Sequence, residues 1–169
     1  MSSKLLVYGA TGFVGGHIAR TAAGSGLPTI LAGRDPARLD SLAAEIGVER
    51  RAFGLADAGA TARVLKGATV VLNCAGPFKR TAGPLAGACL SAGVPYLDIT
   101  GEIPVFEALQ AKDAEAKARG VMLLPGVGFD VAATDCLALH LKRRLPCLRR
   151  LHLRLLRLLL AGGAACARS

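Results

Sequence analysis

Short apolar runs alternate along the chain with longer stretches in which apolar and polar residues are mixed at helical spacing. The runs predict buried strands, and the mixed stretches predict amphipathic helices. Regular alternation of the two is typical of a parallel sheet with helices on both faces. We predict strands at residues 4–8, 29–32, 50–53, 69–73, 95–99 and 121–124, and helices at residues 13–23, 36–46, 58–65, 84–92, 103–118 and 131–144.

The first predicted strand runs directly into a turn with three evenly spaced glycines. Gly9 permits a tight turn, Gly12 lets the backbone approach a pyrophosphate, and Gly15 lets the following helix pack closely on the strand. The N-terminus of that helix offers unpaired N–H groups and the positive end of its dipole to phosphates. This arrangement predicts a dinucleotide-binding site, in a spacing common in reductases that bind NADP. The predicted cofactor contacts here are Gly9, Thr11, Gly12, Phe13, Val14 and Gly15.

The length and composition of the chain fit one domain of this kind. We place a doubly wound, Rossmann-like α/β domain at residues 1–146, with strand order 3-2-1-4-5-6. Of the 169 residues, 52% are hydrophobic, which is enough to bury a core. Only 4% are aromatic and Trp is absent, which argues against a stacking platform for single-stranded nucleic acid. No apolar run predicts a signal peptide or a transmembrane segment.

The five cysteines show neither the spacing of a metal site nor that of a disulfide framework. The sequence contains no Cys-x-x-Cys pair and no His-Glu-x-x-His, so we predict no metal site. Free thiols fit a reducing compartment, and we therefore expect a cytoplasmic protein. Cys74 and Cys89 are interpreted as small core residues rather than nucleophiles.

The net charge of +9 is concentrated at the C-terminal end. Residues 145–169 contain five arginines and no acid, whereas residues 1–144 contain 16 Lys and Arg against 12 acids, which leaves +4. The mildly basic body suits an anionic cofactor as well as a polymer. Residues 147–169 form a basic, Leu/Arg-rich tail without a clean amphipathic face. We consider two interpretations of it: a helix that packs on a neighbour or an anionic surface, and an out-of-frame or truncated end.

The end of the second predicted strand carries the residue that distinguishes the two nicotinamide dinucleotides. An acid there accepts a hydrogen bond from the free 2′-hydroxyl of NAD, whereas an arginine matches the 2′-phosphate of NADP. Arg34 stands at this point, and Arg38 is a candidate second charge. Asp35 is also placed to contact a ribose, but Pro36 follows it, so we favour Asp35 as a helix cap. We therefore predict NADP or NADPH rather than NAD.

The loop after the fourth predicted strand lies at the same edge of the sheet as the glycine turn. Ligands of this fold bind at the carboxyl ends of the strands, near the reversal of strand order. Small Ala75 and Gly76 would let the backbone run along a cofactor, and Asn73 either orients a ribose or ties the loop. We expect Lys79 and Arg80 to be solvated, with a phosphate contact as the alternative. The predicted cofactor contacts of this loop are Asn73, Ala75, Gly76 and Pro77.

Five motifs occur in an order that resembles a known family. They are Gly-Ala-Thr-Gly-Phe-Val-Gly at 9–15, Ala-Gly-Arg at 32–34, Asn-Cys-Ala-Gly-Pro-Phe at 73–78, Tyr-Leu-Asp-Ile-Thr-Gly-Glu at 96–102 and Pro-Gly-Val-Gly-Phe-Asp at 125–130. Over residues 3–146 the chain resembles the NADP-binding domain of saccharopine dehydrogenase-like oxidoreductases, a group that includes trans-acting enoyl reductases. The resemblance implies hydride transfer between the nicotinamide and a C=N, C=O or C=C bond of a small-molecule substrate.

The resemblance also places the last two motifs beside the nicotinamide half of the cofactor. Asp98 and Glu102 are the candidate catalytic residues, as substrate ligands or proton relays. The alternative is structural: Asp98 bonds local N–H groups, and Glu102 helps to cap the next helix. Members of the family typically continue into a second α+β domain that shapes the substrate site and often dimerises. This chain stops where that domain would begin, so we expect the substrate domain to be absent.

Two functions therefore stay open. The first is an NADP-dependent oxidoreductase, and the second is a non-catalytic NADP-binding or redox-sensing module, which the missing domain favours. A short-chain dehydrogenase is excluded, because neither Tyr8 nor Tyr96 is followed four residues later by lysine. Nucleic acid is not an expected partner. Apolar surface left uncovered by a missing domain would lead to self-association or to marginal stability, and a homo-oligomer is the expectation in the first case.

Overall fold

The computed structural model describes residues 3–145 and residue 147. Six strands of the described residues are β1 (Leu5–Tyr8), β2 (Thr29–Gly33), β3 (Glu49–Ala52), β4 (Val70–Asn73), β5 (Tyr96–Asp98) and β6 (Leu123–Leu124). The helices are α1 (Phe13–Gly24), α2 (Pro36–Ile46), α3 (Ala58–Leu65), α4 (Phe78–Ala92), α5 (Ile103–Gln110), α6 (Asp113–Arg119) and α7 (Phe129–Arg144). The strands form one parallel sheet in the order β3-β2-β1-β4-β5-β6, which confirms the predicted fold class and strand order.

Neighbouring residues of the central strand β1 face opposite sides of the sheet. Leu6 belongs to a core that includes Leu85 of α4 and other residues of α3 and α5. Val7 belongs to a second core that includes Leu39 of α2 and residues of α1. All four side chains are fully buried. A strand whose two faces are both covered by helices needs apolar residues at every position, which is why β1 reads as an unbroken apolar run.

The parallel register brings the carboxyl ends of four strands to one edge of the sheet. Tyr8 at the end of β1 is level with Ala32 of β2 and with Asn73 of β4. Asn73 is in turn level with Asp98 at the end of β5. The loops that follow these strands therefore lie along the same edge, where doubly wound sheets bind their ligands.

Helix α4 begins at Phe78, well before the predicted start at Pro84, so that predicted boundary is wrong. The helix is capped by a residue distant in sequence: Glu102 accepts hydrogen bonds from Phe78 N at 2.9 Å and from Lys79 N at 3.0 Å. Proline is common at the first position of a helix, but Pro84 lies inside this one. Pro84 has no N–H to donate within the helix, and its neighbours Leu85 and Ala86 pack into the core.

Most other elements differ from their predicted bounds by one or two residues, and one larger difference has a structural reason. A turn at residues 111–112 divides the predicted helix 103–118 into α5 and α6. A continuous helix would place Lys112 on the same face as the buried Val105 and Leu109, and the turn interrupts that face at the lysine. Strand β6 is shorter than predicted and pairs through Leu123 and Leu124 with Tyr96 and Leu97 of β5.

The chain divides into two compact units, Met1–Gly128 and Phe129–Ser169. In the second unit the structure describes α7, which ends at the predicted residue Arg144 and begins slightly before the predicted start. The predicted tail at 147–169 lies outside the described residues except for Cys147, so the division after residue 146 stays a prediction. Within the described part of the chain, no helix has the length and apolar character needed to cross a membrane.

Replacing Leu85 by alanine tests the packing of α4 against the sheet. The Leu85 side chain is fully buried, and we expect the substitution to lower the free energy of unfolding by about 2–5 kcal/mol. Leu124→Ala is the control, because Leu124 is 46% exposed and should cost about 0.5 kcal/mol or less. Urea denaturation followed by circular dichroism gives both values. Equal losses for the two variants would contradict the described core.

Candidate functional site

The turn between β1 and α1 is held by backbone contacts that leave no room for side chains. Gly9 has a φ angle of +85°, and a Cβ there would lie 2.8 Å from the Ala75 nitrogen. A Cβ on Gly15 would overlap the carbonyl oxygen of Gly9. Gly12 donates its N–H to the same oxygen at 3.0 Å. The glycines therefore let α1 begin directly against the end of β1, as their spacing predicts.

The N-terminus of α1 is capped differently from those of the next three helices. A carboxylate accepts backbone N–H bonds at each of those: Asp35 at α2, Asp57 at α3 and Glu102 at α4. Helix α1 follows Gly12, which has no capping side chain, and its first turn contains no acid. The N–H groups of this turn are therefore available to an anion, which the helix dipole favours there.

An open cleft of about 810 Å³ lies at the carboxyl ends of β1, β2 and β4. We call it the strand-end cleft, and its walls include Tyr8, Gly33 and Cys74 at the ends of those strands. Its position is that of the ligand crevice in doubly wound sheets. The predicted cofactor contacts that line it are Gly9, Thr11, Gly12, Phe13, Arg34, Arg38, Ala75 and Gly76.

The other predicted contacts lie outside this lining. Gly15 is buried against Gly9, Asn73 is fully buried, and Val14 is exposed on α1. Pro77 lines a smaller neighbouring pocket of about 350 Å³, which we call the side pocket. The side pocket shares Tyr8, Arg34, Ala75 and Gly76 with the strand-end cleft and adds Leu55, Ala56, Pro77, Arg80, Thr81 and Pro84.

Three charged residues after β2 have different surroundings. Asp35 accepts a hydrogen bond from Arg38 N at 3.1 Å, so its predicted role as the α2 cap is confirmed. The Arg38 guanidinium donates to the Thr11 carbonyl oxygen at 2.9 Å and so supports the glycine turn. Arg34 is exposed at the cleft and makes no hydrogen bond or ion pair with any residue that the structure describes. Its charge is therefore available to a ligand.

Buried polar groups tie the loop after β4 to the end of β5. Asn73 Nδ2 donates to Tyr96 Oη and to Thr81 Oγ1, both at 3.1 Å, and Asn73 Oδ1 accepts from Ala75 N at 3.0 Å. Tyr96 in turn donates its hydroxyl to Asp98 Oδ2 at 2.8 Å. Buried polar groups of this kind are stable only when each has a partner. Asn73 therefore ties the loop, and a ribose contact by its side chain stays a prediction.

The two candidate catalytic carboxylates both hold backbone in place. Asp98 Oδ1 accepts from Thr100 N at 3.0 Å and from Gly126 N at 2.9 Å, so it also fastens the loop after β6. The Glu102 side chain caps α4 and makes no cap bond to α5, so the expected side-chain cap at the next helix is wrong. The start of α4 lies at the same edge of the sheet, within reach of the Glu102 carboxylate. Catalytic use of either carboxylate stays a prediction.

Burial shifts the ionisation of the tyrosines and of two cysteines. It raises the pKa of Tyr8 above the usual value, although the nearby Arg34 charge opposes the shift. It raises the pKa of Tyr96 much further. Burial also raises the pKa values of Cys74 and Cys89 to about 12. Protonated thiols are weak nucleophiles, which agrees with the interpretation of these cysteines as packing residues.

Sequence reasoning assigned no hydrogen-bond partner to Tyr96 or Thr81, and it gave a phosphate contact by Arg80 only as an alternative. Tyr96 joins the buried network, and Thr81 donates its hydroxyl to the Ala75 carbonyl oxygen at 2.7 Å. Arg80 lines the side pocket instead of facing only solvent. A correct start of α4 would have revealed the positions of Thr81 and Arg80. The predicted start at residue 84 places both residues in a loop instead of on the helix. Among the described residues, no group of three or more His, Cys, Asp or Glu side chains could hold a metal ion.

The tyrosines provide a direct test of this buried arrangement. The sequence contains two tyrosines and no tryptophan, so absorbance at 295 nm reports Tyr8 and Tyr96 alone. Because burial raises both pKa values, we expect little tyrosinate in the folded chain at pH about 10, and roughly half ionisation in guanidinium chloride. Stability from these shifts is fully present below the unfolded pKa near 10 and is lost as the pH rises through the folded values. A folded-state midpoint near 10 for either tyrosine would refute the described burial.

Comparisons with known proteins agree with this geometry. The model of the saccharopine dehydrogenase NADP binding domain matches residues 5–124. The chain is 29% identical over 163 residues to a saccharopine dehydrogenase-like oxidoreductase of Homo sapiens and 33% identical over 151 residues to a trans-acting enoyl reductase of Mycobacterium ulcerans (strain Agy99). Each alignment covers 83% of this chain but only 38% and 36% of the respective relative. The chain thus spans less than two-fifths of the length of these relatives.

A solved structure shows the same fold. Saccharopine dehydrogenase (L-Glu forming) from Saccharomyces cerevisiae superimposes with a TM-score of 0.75 at 19% identity, covering 86% of this chain and 32% of that one. The matched family model spans all six strands and the glycine turn, so the resemblance seen in the sequence motifs is confirmed. The chain belongs to the family of saccharopine dehydrogenase NADP-binding domains.

Proposed function

We propose that this domain binds NADPH in the strand-end cleft, as the cofactor-binding part of an oxidoreductase. The observation that carries the proposal is an unpartnered cation beside an uncapped helix N-terminus. Arg34 has no hydrogen-bond or ion-pair partner among the described residues, and α1 begins without a capping side chain. NADPH carries its negative charge on a diphosphate and on a separate 2′-phosphate, which are the two groups these features suit.

The small residues that line the cleft and the volume of the cleft also suit such a cofactor. The glycine turn keeps side chains away from the start of α1, where a Cβ on Gly12 would already lie 3.2 Å from the Gly9 oxygen. Ala75 and Gly76 are the small residues on the β4 side. A volume of about 810 Å³ lies within the range common for ligand sites. We assign the diphosphate to the first-turn N–H groups of α1 and the 2′-phosphate to Arg34.

The preference for NADPH over NADH follows from how the two charged residues after β2 are used. Reading the free 2′-hydroxyl of NADH needs a carboxylate acceptor at this position. Asp35 caps α2, so its carboxylate already has a backbone partner. Arg34, which the cleft exposes, matches a phosphate instead. The family description supports the same cofactor.

The reaction class is proposed as hydride transfer to a C=N, C=O or C=C bond. The nicotinamide cofactor supplies the hydride when bound. The name of the enoyl reductase among the relatives supports a C=C acceptor. The residues of this chain contribute binding and orientation, because the network of Asn73, Tyr96 and Asp98 holds the loops after β4, β5 and β6 together.

A second candidate is a cofactor-binding module that does not catalyse by itself. This alternative is favoured because the carboxylates of Asp98 and Glu102 both accept backbone hydrogen bonds. Asp35, the acid in the lining of the strand-end cleft, caps a helix. Under this alternative the chain binds NADPH without turning it over.

Parallel titrations with NADPH and NADH test the main proposal. Nicotinamide fluorescence should show tighter binding of NADPH to the 169-residue chain. Arg34→Ala should weaken NADPH binding by about 10–100-fold, because charge-assisted hydrogen bonds to the phosphate are lost. NADH binding should change by about twofold or less, since NADH has no 2′-phosphate.

The matched control for this titration is Arg119→Ala. Arg119 is an arginine of α6 paired with Glu115 and is absent from the cleft lining, so its loss should leave both affinities unchanged. Thermal unfolding of each variant checks that the fold is retained. Equal weakening of NADPH and NADH by Arg34→Ala would argue against the assignment of the 2′-phosphate.

Turnover distinguishes the two candidate functions. We expect the chain alone to bind NADPH without oxidising it in the presence of a crotonyl thioester, a simple ketone or an imine, because both candidate carboxylates are committed to backbone. Absorbance at 340 nm measures the reaction. Oxidation that needs the protein and disappears in Arg34→Ala would show instead that this chain is catalytically complete.

A further inference from the structure

Arg80 stands on the first turn of α4 and lines the side pocket together with Arg34. We propose that Arg80 is a second specificity-determining residue, which binds the 2′-phosphate of NADPH jointly with Arg34. This inference rests on the proposed function, because it names a further residue for the same cofactor. The sequence offers a phosphate contact by Arg80 only as the alternative to solvation and does not indicate which phosphate it would bind.

The charges of the side pocket suit a phosphate. Arg34 and Arg80 both line it, and no carboxylate is among its lining residues. Neither guanidinium has a hydrogen-bond or ion-pair partner within residues 3–145. Two like charges that share one pocket repel each other, and an anion between them removes that cost. A phosphate is the anion that two guanidinium groups match best, since each can donate two parallel hydrogen bonds.

The backbone that carries Arg80 is fixed at several points. Glu102 accepts hydrogen bonds from the two backbone N–H groups that precede Arg80 in the chain. Arg80 N itself donates to the Pro77 carbonyl oxygen at 3.0 Å. The next residue, Thr81, donates its hydroxyl to the Ala75 oxygen at 2.7 Å. An arginine on a fixed backbone loses less conformational freedom when it binds than one on a mobile loop. Its side chain is exposed and free to meet a ligand.

Arg38, the second charge expected from sequence, lies at the strand-end cleft and has a backbone partner. Its guanidinium donates to the Thr11 carbonyl oxygen at 2.9 Å, and it lines the strand-end cleft but not the side pocket. Arg34 is the arginine common to both cavities. Arg38 therefore supports the glycine turn, and Arg80 supplies the second cation at the pocket that Arg34 shares.

The test compares Arg80→Ala with Lys79→Ala in the 169-residue chain. Lys79 is the adjacent residue with the same charge, but it lines a different pocket between α4 and α5. Arg80→Ala should weaken NADPH binding about tenfold and change NADH binding by about twofold or less. Lys79→Ala should leave both affinities unchanged. Arg80→Lys should recover part of the NADPH affinity, because it keeps the charge and loses the fork geometry.

Adenosine 2′,5′-bisphosphate and adenosine 5′-phosphate separate the phosphate from the rest of the cofactor. Arg80→Ala should weaken the first and leave the second unchanged. Unchanged NADPH affinity in Arg80→Ala would overturn the inference, and so would an equal loss for NADPH and NADH, which indicates a contact with the base. A chain whose NADPH binding needs Arg34 but not Arg80 contradicts this inference alone. A chain that binds neither dinucleotide contradicts the proposed function as well.

Discussion

The site depends on how closely helix α1 can approach the end of strand β1. The carbonyl oxygen of Gly9 occupies the space that a side chain on Gly15 would need, and the Ala75 backbone occupies the space beside Gly9. Because neither glycine carries a side chain, the helix begins at the end of the central strand and directs its first N–H groups towards the edge of the sheet where the loops meet. A larger residue at either position would displace the helix and with it the anion site.

A second constraint acts on the other half of the same edge. Asn73, Tyr96 and Asp98 are fully buried and satisfy one another, and Asp98 extends the network to Gly126 after β6. Glu102 fixes the start of α4 from the same side. Polar groups that carry such structural bonds are costly to remove, because each substitution leaves a buried partner unsatisfied. The two constraints together fix the ends of the strands and the loops that follow them, and Arg34 and Arg38 line the strand-end cleft formed there.

The fold was predictable from the sequence because its signals are local. The apolar run of β1, the three glycines and the Asp35-Pro36 pair each determine structure within a few residues, and strand order follows from the handedness of the crossovers. The start of α4 was not predictable in this way. Glu102 caps it from 24 positions along the chain, and nothing near Phe78 in sequence signals that partner.

The same difference between local signals and long-range partners explains which site residues were predictable. Eight residues lining the strand-end cleft follow from motifs, since each motif lies at the end of a strand whose position is known. Asn73 illustrates the opposite case: the sequence left a ribose contact and a tie of the loop both open, and the bond to Tyr96 that supports the tie is made to a residue 23 positions away. That Arg80 lines the same pocket as Arg34 was not predictable for the same reason, because its position depends on where α4 begins.

The most direct test of the central claim is a nuclear magnetic resonance titration of the ¹⁵N-labelled chain with NADPH. If the cofactor binds at the first turn of α1, the largest amide shift changes should occur at Phe13, Val14 and Gly15, with further changes at Ala75 and Gly76. Changes confined to residues outside the first turn of α1 and the loop after β4 would contradict this binding site. Such a result would mean that the glycine turn serves only to pack α1 on the sheet.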